Sequence, residues 1–473
     1  MEGRSHLHLL QDLALIGATK ALLSGFVIAA GFHGISDDDF SRTVIAQHFA
    51  QAPRVSPSSI CVDDPSQMSW LPLPFWITGS AMILLGTSLA VARGVGVAFG
   101  VVAMWMVYAA AARVLADRKL ALIAALVACA LPASVLYGAA STPDLAGAAA
   151  MTLVVALITT TKPAFVLASV VTFAATLTRY EAWLLVPAVA GLATLAALGG
   201  TLPRPQLVAV LALSGAGPLS WLAYNHAAFG DALHFAKVVS DYKLTLQADA
   251  PLTRLIEIPR AILLAEPEVL GVFVIAAVVL CKTTALAVHR KALWIFLALG
   301  LALTALSTRG GGPTHHVERA VYSMHLYLTI ATTALIAAVR RERLVTPLAF
   351  IVAAPLSLIR LIHRESVAQR DTEIEMGAAL DAVVPRGERV VIAATDFGHF
   401  AIQAAFARPG DIHPHDPVAP TLNGTPSTRA VLNAARSRGA RFVVGPFNDP
   451  PPFAGRIVFC HRGLCVAELN ETP

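Results

Sequence analysis

Apolar runs recur along this chain at about 13–32, 73–92, 95–114, 120–138, 145–161, 163–179, 182–199, 206–226, 265–288, 292–308, 321–339 and 344–362. A stretch of roughly 20 apolar residues crosses a bilayer as a helix. In hydrocarbon it must be a helix, because each backbone N–H and C=O has to be satisfied within the segment. Only 14% of the 473 residues are charged, against roughly 25% in ordinary soluble domains, and mean hydropathy is +0.66. The sequence therefore predicts a polytopic α-helical membrane protein. Its first run lacks a small-residue cleavage signature and reads as a span rather than a signal peptide.

The formal net charge of +5 resides in short turns between the runs, with no extended basic patch carrying interleaved aromatics, so no nucleic-acid partner is expected. Such turns orient a membrane protein with their Lys and Arg on the cytoplasmic side. Residues 113–119, Lys162, Arg204, 289–291 and 340–343 then lie inside. Counting all twelve runs as crossings would put loops 33–72 and 139–144 on opposite faces, against that rule. About eleven spans plus one re-entrant or interfacial helix resolve the conflict. The exception is assigned to "LPLPFWITGSAMILLG", which opens with Pro72 and Pro74, although whether 73–92 or 95–114 crosses fully stays open. Residues 33–72, 139–144, 227–264, 309–320 and the tail after about 363 fall outside.

The tail changes character. "RVVIAATDFGHFAIQAAF" reads as strand, turn and helix, "STRAVLNAARSRGARFVVGPF" as helix, Gly break and strand, and "GRIVFCHRGLCVAEL" as a terminal hairpin. The division is a transmembrane domain over 1–362 and a small α/β extracytoplasmic domain over 363–473. No G-x-G-x-x-G or Walker A pattern supports a nucleotide site. Cys460 and Cys465 flank a tight Gly-containing turn and are disulfide candidates in an oxidising compartment. Cys129 and Cys281, inside apolar runs, read as bland thiols.

Polar residues concentrate at the predicted outer ends. Asp37, Asp38 and Asp39 open a short helix in "DDDFSRTVIAQHFAQAP". Asp37 suits an N-cap, but capping accounts for one carboxylate and not three. A cluster of like charges is suited to deprotonating an acceptor or holding a divalent metal beside phosphate; capping with surface polarity is the plainer alternative. Trp70 fits an interfacial anchor or a ligand-stacking ring. Asp144 is explained by helix-dipole complementarity, with Thr142 as cap and Pro143 at the first turn, yet it shares the outer face with the triple Asp. Arg179 and Glu181 in "LTRYEAWLL" are costly at a lipid boundary unless paired or wet; pairing with each other is disfavoured on a helix face, where i and i+2 diverge. Cations for a phosphate are Arg309, His315, His316 and Arg319 in "STRGGGPTHHVER", or this is an ordinary flexible loop.

This arrangement resembles the GT-C superfamily of membrane glycosyltransferases, which includes protein mannosyltransferases and the aminoarabinose transferases of lipid A. The resemblance rests on one span, a large outer loop opening with an acidic motif, and "ARVLADRKLALIAALVACALPASVLYGAASTPDLAG" with its arginine turn, helix, small outer loop and acidic residue. It covers most of 10–362. It implies a GT-C-like fold and a transferase that moves a sugar from a polyprenyl-phosphate donor to a lipid, glycan or protein acceptor at the outer face of a bacterial inner membrane, with inversion. By that likeness Asp38 is the catalytic base or the organiser of metal and acceptor, Asp39 its companion, Asp37 a substrate contact, and Asp144 the acidic residue of the next loop. "WLPLP" stands where the family often has a His-Pro-Pro-like segment, which blurs the acceptor contacts. A divalent cation such as magnesium or manganese, on Asp38, Asp39 or Asp144, is compatible with the resemblance, because superfamily members work with and without one.

Two other classes compete. A transporter needs polar groups or broken helices near the bilayer midplane, whereas these spans are mostly Ala, Leu and Val. A non-catalytic scaffold would present the tail to a partner through exposed aromatic surface.

Overall fold

The computed structural model describes residues 2–53, 70–246, 251–279, 284–309, 316–338, 369–393, 397–412, 432, 435–437, 439–446 and 455–469. The run at 344–362, with His315 and the turn 340–343, lies outside the described residues.

Helix α1 (Glu2–Ala29) runs antiparallel to α4 (Leu89–Leu115). At one end Asp12 accepts from Tyr108 Oη at 2.7 Å and from Arg118 Nε and Nη2 at 2.6 and 2.7 Å. At the other, beyond α1, Arg93 Nη2 meets His33 Nδ1 at 3.1 Å. The helical rise puts Asp12 about 25 Å from the last turn of α1, so the two pairings mark opposite ends of the bundle. Arg113 donates to the Lys162 carbonyl at 3.4 Å, bringing two predicted cytoplasmic turns to the Asp12 end.

Helix α5 (Arg118–Ala130) buries Ala121, Ala124, Ala125 and Ala128, a small-residue stripe at i, i+3, i+4 and i+7. Such stripes let helices approach closely where lipid supplies no hydrophobic drive between them. Pro132 then ends the run, and a six-residue α6 (Pro132–Tyr137) follows. Helix α7 (Asp144–Thr159) is buried on nearly every side. Around it stand α8 (Phe165–Thr176), a 3₁₀ turn Tyr180–Leu185, α9 (Val186–Leu198) and α10 (Arg204–Phe229). The bundle continues through α11 (His234–Leu246), α12 (Pro251–Leu264), α13 (Pro267–Val279), α14 (Thr284–Thr308) and α15 (Val317–Ala338). Large apolar side chains such as Leu22, Phe26, Leu198, Leu219 and Trp294 stay exposed, as a hydrocarbon-facing surface requires.

Among the described residues six helical segments are long and apolar enough to cross a membrane, or seven if the pair Thr253–Leu264 and Pro267–Val278, bent by 77°, is one span. Shorter apolar helices, Leu73–Leu85, Asp144–Thr159 and Phe165–Thr176, stand beside these. The 120–138 run breaks at Pro132, and α7 and α8 have 16 and 12 residues, short of the roughly 20 a full crossing takes. Burial within protein, rather than contact with lipid, explains why α7 is apolar all round.

Helix α2 (Asp38–Gln51) and helix α3 (Leu73–Leu85) lie together at the His33 end. The 13 residues of α3 rise about 20 Å. Its first N–H, from Leu73, donates to Leu177 O at the close of α8, while Gln47 Nε2 of α2 donates to Thr87 O just past its last turn, at 2.7 Å. Both ends of α3 therefore return to the same end of the bundle, as the paired prolines suggested.

The tail forms a four-stranded sheet in the order β1-β2-β4-β3, from β1 (Val390–Ile392), β2 (Phe442–Gly445), β3 (Gly455–His461) and β4 (Leu464–Leu469). The first pair is parallel and the others antiparallel. Arg462 and Gly463, both at positive φ, make the two-residue hairpin turn, and Cys460 and Cys465 beside it are joined by a disulfide. Helices α16 (Asp371–Val383) and α17 (His399–Phe406) cover the sheet. Phe400, Ala401 and Ala404 of α17 pack on Phe40 and Val44 of α2, seating the tail on the first loop.

Candidate functional site

The three consecutive aspartates are dealt out to three different elements. Asp37 points to the tail: Arg370 Nε and Nη2 donate to its two oxygens at 2.9 and 3.0 Å. It occupies the N-cap position of α2 yet makes no side-chain cap hydrogen bond, so the capping expected of it is not what it does. The fork of Arg370 outcompetes backbone donors because it matches both carboxylate oxygens at once.

Asp39 turns inward and is buried. Its Oδ2 accepts from Ile35 N–H at 2.8 Å and Ser36 N–H at 3.4 Å, and its Oδ1 accepts from Ser141 N–H at 2.7 Å with the Ser141 hydroxyl 3.0 Å away. That hydroxyl also lies 2.8 Å from the Asp39 carbonyl. Burial pushes the Asp39 carboxyl above its ordinary value, while the charge of Arg319 and the N–H donors pull it down. Asp39 is a fastener between the first loop and the second, with no oxygen left over for a reacting proton.

Asp38 stays partly open to solvent and, unlike Asp37, faces the cluster around Arg319. Its Oδ2 lies 3.1 Å from Arg319 Nη1 and 3.6 Å from His316 Nε2, and its side chain remains 19% exposed. Arg319, in the first turn of α15, also donates from Nη2 to Ser36 Oγ at 2.8 Å, and its Nη1 stands 3.4 Å from Asp144 Oδ2. One guanidinium thereby brings Asp38 and Asp144 to a single locus.

Asp144, the first residue of α7, is gripped on its other oxygen by Arg179 Nη1. Arg179 in turn forks onto Glu181, Nη2 to Oε1 at 2.6 Å and Nε to Oε2 at 3.1 Å. The pairing judged unfavourable on a helix face occurs because Arg179 is not on one: its backbone is extended, at φ −143° and ψ 138°, and the 3₁₀ turn starts at the next residue. Gly147 makes room for the arginine stem, since a Cβ there would come within 2.6 Å of Arg179 Cγ. Thr142 does not cap α7; its hydroxyl is buried without a hydrogen-bond partner, as is Asp144 Oδ2.

Arg42, one turn along α2 from Asp38, completes the cluster. Its guanidinium lies 4.4 Å over the Trp70 ring and 5.7 Å from that of Phe75, so Trp70 packs against a cation and stacks toward Phe75. Arg42, Ser141, Ser36 and Arg370 are site residues that sequence reasoning missed. The i+4 spacing from Asp38 was the one signal that could have found Arg42. Arg309, by contrast, is exposed past α14 and meets none of these carboxylates among the described residues.

These carboxylates do not fit a divalent cation. Asp39 is saturated by N–H and O–H donors, Asp144 is held by two arginines, and among the described residues no three His, Cys, Asp or Glu side chains converge as a ligand set. The guanidinium groups already supply the positive charge that a metal would bring. What the arrangement offers is a water-accessible carboxylate beside fixed cations, at the mouth of an apolar bundle.

Residues 63–221 match the family described as dolichyl-phosphate-mannose-protein mannosyltransferase. No curated protein matches the chain. Among solved structures, the oligosaccharyltransferase AglB of Archaeoglobus fulgidus, in complex with an inhibitory peptide and a dolichol-phosphate, is 12% identical at a TM-score of 0.49, over 93% of this chain and 69% of that one. ArnT from Cupriavidus metallidurans in the apo state is 13% identical at a TM-score of 0.46, over 98% of both chains. The same protein bound to undecaprenyl phosphate is 14% identical at 0.44, over 96% of this chain and 97% of that one.

Proposed function

We propose that this GT-C-like membrane protein transfers a sugar from a polyprenyl-phosphate donor to a lipid, glycan or protein acceptor, with Asp38 as the base. The acceptor hydroxyl or amine gives its proton to Asp38 Oδ2 as its oxygen or nitrogen bonds to the anomeric carbon. The bond from that carbon to the phosphate oxygen breaks in the same step, and polyprenyl phosphate departs with the electron pair. A single displacement inverts the anomeric centre. A positioned base contributes about 10²–10⁴-fold. Cations fixed beside the leaving phosphate add electrostatic stabilisation without reorganising; Arg319 and Arg42 are the guanidinium groups standing at the cluster, His316 lies 3.6 Å from Asp38, and Arg309 and His315 of the adjoining loop are proposed to reach the phosphate when the donor binds. Asp144, Arg179 and Glu181 hold Arg319 and the loop walls in place.

The observation that carries this reading is the solvent-accessible Asp38 carboxylate held by Arg319, one turn from Arg42 and next to Asp144. We place the reaction on the outer face of a bacterial inner membrane. The Cys460–Cys465 bridge in the tail, which docks at the Asp38 end, suits an oxidising compartment, and Arg113, Arg118 and Lys162 gather at the opposite end. Membranes containing the chain, given a panel of polyprenyl-phosphate sugars, should release polyprenyl phosphate and label an acceptor with at least one of them.

Transport is favoured by one observation, the 77° break between α12 and α13 with buried Glu266 at it. That carboxylate accepts Ala133 N–H at 3.0 Å, a structural use at the start of α6. Sugar movement across sealed vesicles with no covalent product would favour this second reading.

A further inference from the structure

Between the α3–α4 turn and the tail lies a cleft of about 760 Å³. Its floor is Leu85, Gly86, Thr87 and Ser88. Ser88 caps α4, and the apolar span begins at the next residue, so the floor stands where hydrocarbon gives way to headgroups. The last turn of α3 leads into it with Ile83, Leu84 and Leu85 exposed by 52%, 81% and 73%. A cleft that begins on such a lip accepts a molecule with apolar chains.

The far wall, from the tail, carries charges of both signs. Arg408 is committed: its Nε lies 3.3 Å from Asp411 and 3.5 Å from Asp381, and its Nη2 donates to the Val384 carbonyl at 2.9 Å. Asp411 also accepts Gly387 N–H at 3.3 Å. Two groups keep capacity to spare. Asp381 has a side chain 59% exposed, and Arg386 is exposed and pairs with no carboxylate among the described residues. One cationic and one anionic group thus face the same cleft above an apolar lip.

We propose that this cleft binds the headgroup of a zwitterionic amino-phospholipid, with the phosphate against Arg386 and the primary ammonium against Asp381. The proposal is independent of the transfer reaction and of Asp38. An anionic lipid without an ammonium would bring its phosphate toward Asp381 with no cation of its own, leaving only Arg408, already shared with Asp411, to offset the repulsion. A choline headgroup offers Asp381 no N–H donor. The bound lipid would fill the gap between the tail and the bundle and hold the tail at the membrane surface.

The test is lipid retention by the full-length chain, measured by native mass spectrometry. The chain is equilibrated with an equimolar mixture of phosphatidylethanolamine, phosphatidylcholine and phosphatidylglycerol of matched acyl chains. Charge-assisted hydrogen bonds of this kind favour phosphatidylethanolamine by about tenfold. Arg386→Glu should abolish retention of all phospholipid at the site, and Asp381→Asn should erase the preference over phosphatidylcholine alone. Both residues are exposed, so thermal unfolding of the variants serves as a control for folding. Preference for phosphatidylglycerol, equal retention of all three lipids, or an unchanged preference in Arg386→Glu would each overturn the proposal.

Discussion

Asp38 Oδ2 and Arg319 Nη1 lie 3.1 Å apart, although 281 positions of chain separate them. The contact joins the first loop to the start of α15, and the same guanidinium reaches Asp144 at the start of α7. Carboxylates from separate turns therefore meet at one cation, on the side of the bundle where the tail docks.

Arg179 balances two buried carboxylates, with Asp144 and Glu181 side chains only 1% and 2% exposed. Arg179→Met leaves both without their shared counter-ion, and breaking a buried pair costs about 3–5 kcal/mol. Thermal unfolding in detergent should show a large drop. Arg179→Lys keeps a charge but loses the fork, and should fall between the two.

Much of this frame can be read from the residues. The long apolar helices, the strand pattern of the tail and the Cys460–Cys465 pair follow from periodicity and turn chemistry. What stays hidden depends on contacts between distant parts of the chain. Nothing in "DDDF" says that its first aspartate belongs to Arg370, its second to Arg319 and its third to Ser141. The Arg179–Glu181 fork was concealed by an extended residue inside an otherwise helical pattern. Full burial makes α7 as apolar as a lipid-facing helix, so hydropathy alone does not separate the two.

The Asp37–Arg370 pair fastens the tail to the first loop, with side chains 26% and 18% exposed. A pair this accessible is worth about 1 kcal/mol or less. Asp37→Ala should speed hydrogen exchange in 371–383 while lowering transfer by less than tenfold. The exchanged pair Asp37→Arg with Arg370→Asp should recover the protection. If Asp37→Ala instead abolishes transfer with the tail still protected, Asp37 contacts substrate.

Because Asp39 is filled by N–H and O–H donors and Asp144 is charge-balanced by Arg179 and Arg319, transfer should be insensitive to chelation. Dialysis against EDTA should leave turnover within about twofold, a barrier change of about 0.4 kcal/mol. Loss of activity on chelation and recovery with magnesium or manganese would show that the carboxylates rearrange around a metal in the working enzyme.

Turnover of Asp38→Asn in membranes, set beside the native chain with the same polyprenyl-phosphate sugar, bears most directly on the proposed chemistry. The amide keeps the shape of the side chain and an oxygen for Arg319, but it cannot take up the acceptor's proton. A fall of about 10²–10⁴-fold, with thermal stability preserved, is the predicted result. Equal turnover in the two proteins would contradict the assignment of Asp38 as the base.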